Sequence, residues 1–468
     1  MKKSNFIAIT LVLLVSLTGT FSYGYWDYLV DRILGNGTTS NITGMTSITT
    51  DNLSIERVSM DGGSAFYWQS SLAELNAITG VTNADKAIVM DANHAVTFYD
   101  HLSGAWAVAG STYVDVRAHE AAGDGVTDDT AAIQAAIDSI TNGQGTVFLP
   151  AGTYAISSAI QLVERIKLKG AGIRATTIKA LNNMSSMIKF PATVGLQSDC
   201  ELSDMLINGN NKTGITIDVN GNAYAKIHDL SVANMTTGIE LAKAGAYWNS
   251  IERVKFQGTF TNGIRFDNQV NSTLIADCDW GGTITYPIKV ESTFNGDTIR
   301  VRGGSMDTSS TTNNILLSPL SSYQGLTITV DGLRIDGSTS GANIDIGQNV
   351  QATIINSSIA SASTNHMSID GANCRVESNY HSASVGAAIA LTTNSNGNII
   401  GPAKWNTGTE QCASKVSDAG TGNYMTGTFA TDNNVAPLMQ GHMAIKTDNT
   451  VHFGVCATSA ACWKQISN

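Results

Sequence analysis

The chain has 468 residues, 45 of them glycine, with only 14% charged residues and a formal net charge of −11. That length accommodates one long domain with small appendages. The acidic balance excludes a nucleic-acid or anionic-membrane partner, which would need a basic surface, and leaves any acidic substrate dependent on a local cluster of Arg and Lys.

At the N-terminus, Lys2 and Lys3 precede an apolar run from Phe6 to Leu17, and Ser22 and Gly24 fit positions −3 and −1 of a cleavage site. Residues 1–24 therefore read as a secretory signal peptide. The run is short for a bilayer span of about 20 residues, so no membrane attachment is expected after cleavage. The expected location is secreted or cell-surface, where the six cysteines can form disulfides. Residues 25–63 are rich in Gly, Thr, Ser and Asn and read as a linker; their two glycosylation sequons, at Asn36 and Asn41, fit chance in such a composition. Residues 64–110 read as a small β-module, with a short helix over Ser71 to Ile78. Three strands follow, around Ala87-Ile88-Val89-Met90, Ala95 to Tyr99 and Ala105 to Val108.

The stretch from Gly123 to Pro150 then sets the architecture. Asp128 is placed to cap a helix with Asp129 and Thr130 in its first turn. Ile133, Ala136, Ile137 and Ile140 share one apolar face. Gly143 and Gly145 end the helix, and Thr146-Val147-Phe148 begin a strand. One amphipathic helix before some 250 residues of strand pattern is suited to plugging the open end of a stack of strands.

This stretch resembles the start of the pectate-lyase-like superfamily, which includes rhamnogalacturonase- and epimerase-like proteins and phage tailspike depolymerases. The residues that carry the resemblance are Val114-Asp115-Val116, Gly123-Asp124-Gly125, Thr127 to Thr130, Ala132-Ile133, Ala136-Ile137, Val147 to Pro150 and Gly152-Thr153-Tyr154. The resemblance implies an all-β fold, a right-handed parallel β-helix (solenoid) with an N-terminal capping helix, over residues 111–400. It implies a carbohydrate partner without specifying a bond, a structural role for Asp128-Asp129-Thr130, a virion-associated location as an alternative to secretion, and a homotrimer by analogy with tailspikes.

Within 111–400 the sequence repeats. Ile188, Ile215, Ile239, Ile264, Ile288, Ile315, Ile344, Met367 and Ile389 recur every 22 to 29 residues. Segments beginning at Leu202, Ile227, Ile251 and Ile275 recur every 24 or 25. This is the length of one solenoid coil, stacked about 4.8 Å from the next. Alternation points Met205, Leu230, Val254 and Cys278 inward, together with Ile207, Val232, Phe256 and Trp280. Leu206, Ser231, Lys255 and Asp279 point outward.

Asp204, Asp229, Arg253, Asp277 and Asn356 share one repeat position at a bend. A ladder of turn side chains satisfying bend N–H groups explains them better than a catalytic row, with Arg253 offsetting repulsion between its carboxylate neighbours. Charge and aromatics crowd together between Glu240 and Glu291. Glycoside hydrolysis needs two carboxyls at a fixed separation, and the preferred pair is Glu252 and Asp279, with Asp277 as substitute. Tyr247, Trp248, Arg253, Arg265, Lys255 and Glu240 are the candidate substrate-binding residues, the aromatics serving as a sugar platform. A polysaccharide lyase is the other chemistry: Arg or Lys removes a proton beside a uronate carboxylate that Ca²⁺ or another cation neutralises. No resident cofactor or metal site is expected; Asp218 to Asn222 followed by Asp229 matches a Ca²⁺ loop only in part and reads as a coil turn.

Residues 401–468 read as a C-terminal β-module, in which Ala444-Ile445, Val451-His452-Phe453 and Trp463 echo the N-terminal one. Cys456 and Cys462 bracket a hairpin loop and are expected to pair, and Cys278 is expected buried and free. The reading is an exported carbohydrate-active protein that binds and depolymerises a polysaccharide; the alternative is a non-enzymatic receptor-binding or adhesive fibre.

Overall fold

The structure is a computed structural model. It describes residues 113–425, apart from short breaks, and strands with parts of their connections between 57 and 108 and between 443 and 465. The leader, the sequons at Asn36 and Asn41, and Cys456 and Cys462 lie outside the described residues. Two compact units divide the chain, residues 1–110 and 111–468.

The first unit is a five-stranded sheet. Its helix, Leu72–Asn76, is capped by Ser71, whose hydroxyl accepts from the Glu74 N–H. Lys86–Met90, Val96–Leu102 and Ala105–Val108 form the expected antiparallel run. The sheet also takes in Arg57–Ser59, antiparallel to Ala65–Gln69, a strand inside the stretch read as linker. Near the C-terminus, Met443–Ile445, Val451–Gly454 and Trp463–Gln465 repeat the antiparallel plan, and Gly454 opposite Trp463 confirms the hairpin around the cysteine loop.

The second unit is a parallel β-helix. Each full coil contributes three strands, as in Thr298–Arg302, Ser305–Ser309 and Ile315–Leu317, and each strand pairs in parallel with its counterparts one coil before and after. Coils continue to Tyr424–Met425, past the boundary expected at residue 400. The capping helix is Thr130–Asp138, with Ile133, Ala136, Ile137 and Ile140 buried as its period required. Asp128 accepts from the Thr130 N–H at its start. Asp129 departs from expectation: its buried carboxylate turns back to accept from the Ala122 and Gly123 N–H groups, at 2.6 and 3.2 Å, and pins the preceding turn.

One core row runs Ile160, Ile188, Ile217, Ile239, Ile264, Ile288, Ile315, Ile344, Met367, Ile389 and Val416, all in register. Ile217 replaces the expected Ile215, which is only half-buried and pairs with Ser186 and Thr237. The second inward series is correct throughout, from Met205 to Trp280. Phe256 and Trp280 stack one coil apart, 5.4 Å between centroids and 1° from parallel. Gly238 and Gly263 make room for them: a Cβ would lie 2.8 Å from Phe256 or 2.9 Å from Trp280 Nε1. Of the outward series, Ser231 is in fact buried. Cys278 is buried and free, and burial pushes its thiol up to about 12.

The bend row has a backbone cause. Asp204, Asp229, Arg253, Asp277, Gly303, Gly332, Asn356 and Ser378 all have φ between 52° and 71°. Asp, Asn and Gly tolerate this left-handed conformation best. The row shares this conformation, and its side chains bond to neighbouring side chains, such as Asn356 Nδ2 to Asp331 Oδ1 at 3.0 Å.

Candidate functional site: a charged face beside an aromatic corner

The strand leading into this bend forms what we term the first face of the coil, and the strand leaving it forms the second. On the first face, outward positions alternate with the core. One outward row runs Lys167, Glu201, Lys226, Ser250, Leu274 and Arg300; the next runs Lys169, Ser203, His228, Glu252, Ala276 and Arg302. Two residues before the first row the chain turns through another left-handed corner, at Tyr224, Trp248 and Ser272 (φ 60°, 53° and 54°). Strand pairing brings Tyr224 beside Trp248, and their rings stack at 5.2 Å and 17°, with Tyr247 edge-on at 5.9 Å. Trp248 is 49% exposed, a large apolar surface left open to solvent. Trp248, expected to serve a sugar with Tyr247, stacks instead on Tyr224, a partner that the spacing of Tyr247-Trp248 alone did not reveal.

Charges on this face are linked coil to coil. Arg253 Nε and Nη2 donate to the two oxygens of Asp229, at 2.7 and 2.8 Å, and its Nη1 to Glu252 at 3.3 Å. This hydrogen-bonded guanidinium holds the Asp229 carboxyl down to about 2, and in return Asp229 raises the Arg253 pKa. Arg253 is thus held as a positive charge between Asp229 and Glu252. His228 was not among the candidates. Its Nδ1 lies 2.8 Å from Asp229 Oδ2 and its Nε2 3.4 Å from Glu201, which Lys167 also approaches at 3.1 Å. A histidine with one nitrogen fixed by a carboxylate and the other facing a second acid is oriented for proton exchange.

The preferred catalytic pair stands on two sides of the bend. Glu252 sits on the first face, half-buried, in register with Ala276. Asp279 lies beyond the bend on the second face, exposed, in register with Lys255 at 4.0 Å. The left-handed residues Arg253 and Asp277 thus lie between the two positions. Asp277 lies on the bend itself, one coil beyond Arg253, and is exposed. On the third strand of the coil, its third face, Glu240, Arg265 and Lys289 align in one row and are half-buried and paired. Arg265 donates to Glu240 at 2.6 Å, Asp267 at 2.9 Å and Glu291 at 2.9 Å, and Lys289 meets Glu291 at 2.9 Å. The two candidates Glu240 and Arg265, with Lys289, build an ionic ladder on a separate face from Glu252.

Asp218 to Asn222 form a turn: Asp218 accepts from the Asn220 N–H, and the Asn220 and Asn222 amides donate to carbonyls of Phe190 and Pro191. Among the described residues, no group of three or more His, Cys, Asp or Glu is arranged to hold a metal ion.

Residues 113–315 match the family described as rhamnogalacturonase A/epimerase, pectate lyase-like. Over these residues the solenoid is similar to the pectate-lyase-like superfamily. Among curated relatives, mannuronan C5-epimerase AlgE1 of Azotobacter vinelandii is 29% identical over 198 residues, covering 39% of this chain and 14% of the relative. The preneck appendage protein of Bacillus phage PZA is 37% identical over 103 residues, covering 21% of this chain and 12% of the relative. The matches thus span about an eighth of these relatives' lengths. Among solved structures, the A-module of mannuronan C-5 epimerase AlgE6 from Azotobacter vinelandii superposes with a TM-score of 0.51 at 18% identity. It covers 68% of this chain and 100% of the module.

Proposed function

We propose that this protein is a secreted or virion-associated β-helix that binds a polysaccharide along its first face and cleaves it, as a hydrolase or a lyase. The observation that carries this reading is the stacked, open Tyr224–Trp248 corner running beside the outward rows that hold His228 and Glu252. A pyranose presents C–H groups to an aromatic face and hydroxyls to the polar groups around it. Glu252 and His228 are the acid–base candidates on the near side of the bend and Asp277 the one on the bend itself, Arg253 supplies positive charge, and Lys255 and Asp279 line the far side. Similarity to a protein named for mannuronan epimerisation supports a carbohydrate substrate.

The deciding experiment incubates the protein with a panel of acidic and neutral polysaccharides. Products absorbing in the ultraviolet band of an unsaturated uronate identify a lyase, and non-absorbing products a hydrolase. A second reading, a receptor-binding fibre without catalysis, is favoured by the similarity to a phage appendage protein. Binding without products establishes it, and neither binding nor products across the panel refutes both. Ca²⁺ dependence of activity would belong to the lyase alone, and light scattering would test the homotrimer.

A further inference from the structure

The first face treats its cations unequally. Lys167 pairs with Glu201 at 3.1 Å, Lys169 with Asp204 at 3.6 Å, Arg253 with Asp229 at 2.7 Å and Arg375 with Glu377 at 2.6 Å. Arg300 and Arg302 differ. They are exposed, stand two residues apart on Thr298–Arg302 and so project to the same side, and make no ion pair among the described residues. Register explains why. Arg300 lies between Leu274 and Thr329, which are uncharged, and Arg302 between Ala276 and Asp331; Asp331 accepts from Asn356 and is not within ion-pair distance of Arg302. In a chain of net charge −11, two adjacent guanidiniums without an ion pair among the described residues make a local basic spot. They lie in the same two rows as Ser250 and Glu252, two coils along, or about 10 Å at a coil spacing of ~4.8 Å. Leu274 and Ala276 floor the interval.

We propose that Arg300 and Arg302 form an anion subsite that holds the acidic substituent, carboxylate or sulfate, of a glycan whose chain lies along the first face past Trp248 and Glu252. Guanidinium suits this role because its planar fork of donors meets two oxygens of a carboxylate or sulfate at once. The proposal rests on the polysaccharide reading of the same face and adds the charge of the ligand.

The test is titration calorimetry of the full chain with a polyuronate, a sulfated galactan and a neutral glucan, for wild type, the double variant Arg300→Gln/Arg302→Gln, and Trp248→Ala. The double variant is expected to bind an acidic glycan at least about tenfold more weakly, the worth of one charge-assisted hydrogen bond, and with a shallower salt dependence. Which acidic glycan wild type prefers identifies the anion. The inference is overturned if the double variant binds the acidic glycans as wild type does, or if wild type binds only the neutral glucan; in both cases the polysaccharide reading survives through a loss in Trp248→Ala. Wild type that binds none of the three overturns both. Both side chains are exposed, so an unchanged melting temperature is expected to show the fold intact.

Discussion

His381 occupies an inward row in which Ile335 and Ile359 precede it, and it is 1% exposed. Its Nδ1 lies 3.1 Å from Nδ1 of the equally buried His366, and the rings stack at 5.3 Å. Burial first, and the neighbouring His366 second, push the His381 pKa from its usual 6.5 down to about 3. The folded state therefore holds the ring neutral where the unfolded chain would protonate it. Stability from this group is fully present above about pH 6.5 and is lost as pH falls from there towards 3. Between pH 7 and pH 5 the loss is about 2 kcal/mol, from ~1.36 kcal/mol for each unit by which pH lies below the unfolded pKa. His381→Met fills a similar volume with a side chain that does not titrate. Urea unfolding at pH 7, 6 and 5 should show wild type losing about 2 kcal/mol more than the variant over that range. His119, held near 4 by burial, titrates in both proteins and cancels in the comparison. Parallel losses in the two proteins would refute the reasoning, because they would mean the buried pair accepts a proton without cost.

Other outcomes follow from the same register. Ile264→Asp places an unpaired charge in the middle of the fully buried isoleucine row and should cost several kcal/mol, on the order of a buried charge that neutralises; a variant melting like wild type would disprove the row. Gly263→Ala drives a Cβ to 2.6 Å from the Pro287 carbonyl and against Trp280, and should destabilise by about 1–3 kcal/mol in thermal or urea unfolding. On any polysaccharide that wild type degrades, Glu252→Gln should lower turnover by ~10² while Asp204→Asn stays near wild type; Asp279→Asn, across the bend, should lose less than Glu252→Gln.

The fold was legible because the solenoid imposes two periods at once. Alternation by two chose the inward residues of the series from Met205 to Trp280 correctly, and the coil length aligned them. The same rule fails at Ile215-Thr216-Ile217, where both isoleucines have the same parity and both lie about one coil after Ile188; strand pairing selects Ile217 and leaves Ile215 half-buried. The site was harder to read. Glu252 and Asp279 stand on adjacent coils with outward parity, but the left-handed residues at Arg253 and Asp277 turn the strand between them, and no period in the sequence encodes on which side of a bend two outward residues meet. His228 escaped notice because a single histidine carries no spacing signal, and its partner Glu201 lies a whole coil earlier. Its position could have been read from the coil repeat, which places it in the row of Ser203 and Glu252.

Charge on a solenoid acquires meaning only through this row geometry. A density of charged residues along the sequence selected Glu240 to Glu291, yet much of that density cancels within the third face, where the coil repeat sets Glu240 against Arg265 and Arg265 and Lys289 around Glu291. Such a ladder fixes coils to one another and leaves little charge for a ligand; half-buried pairs of this kind are also costly to break, because each partner would be left desolvated. The residues free to act are those that their rows leave without an ion pair, and these are the ones a density count overlooks. Arg300 and Arg302 fall outside the charged stretch, and Trp248 remains open only because its corner turns it away from the core. A glycan is therefore expected to follow the first face, where open aromatic surface and charge without an ion pair among the described residues lie along one set of rows, in preference to the third face, where the charges are more numerous but already paired.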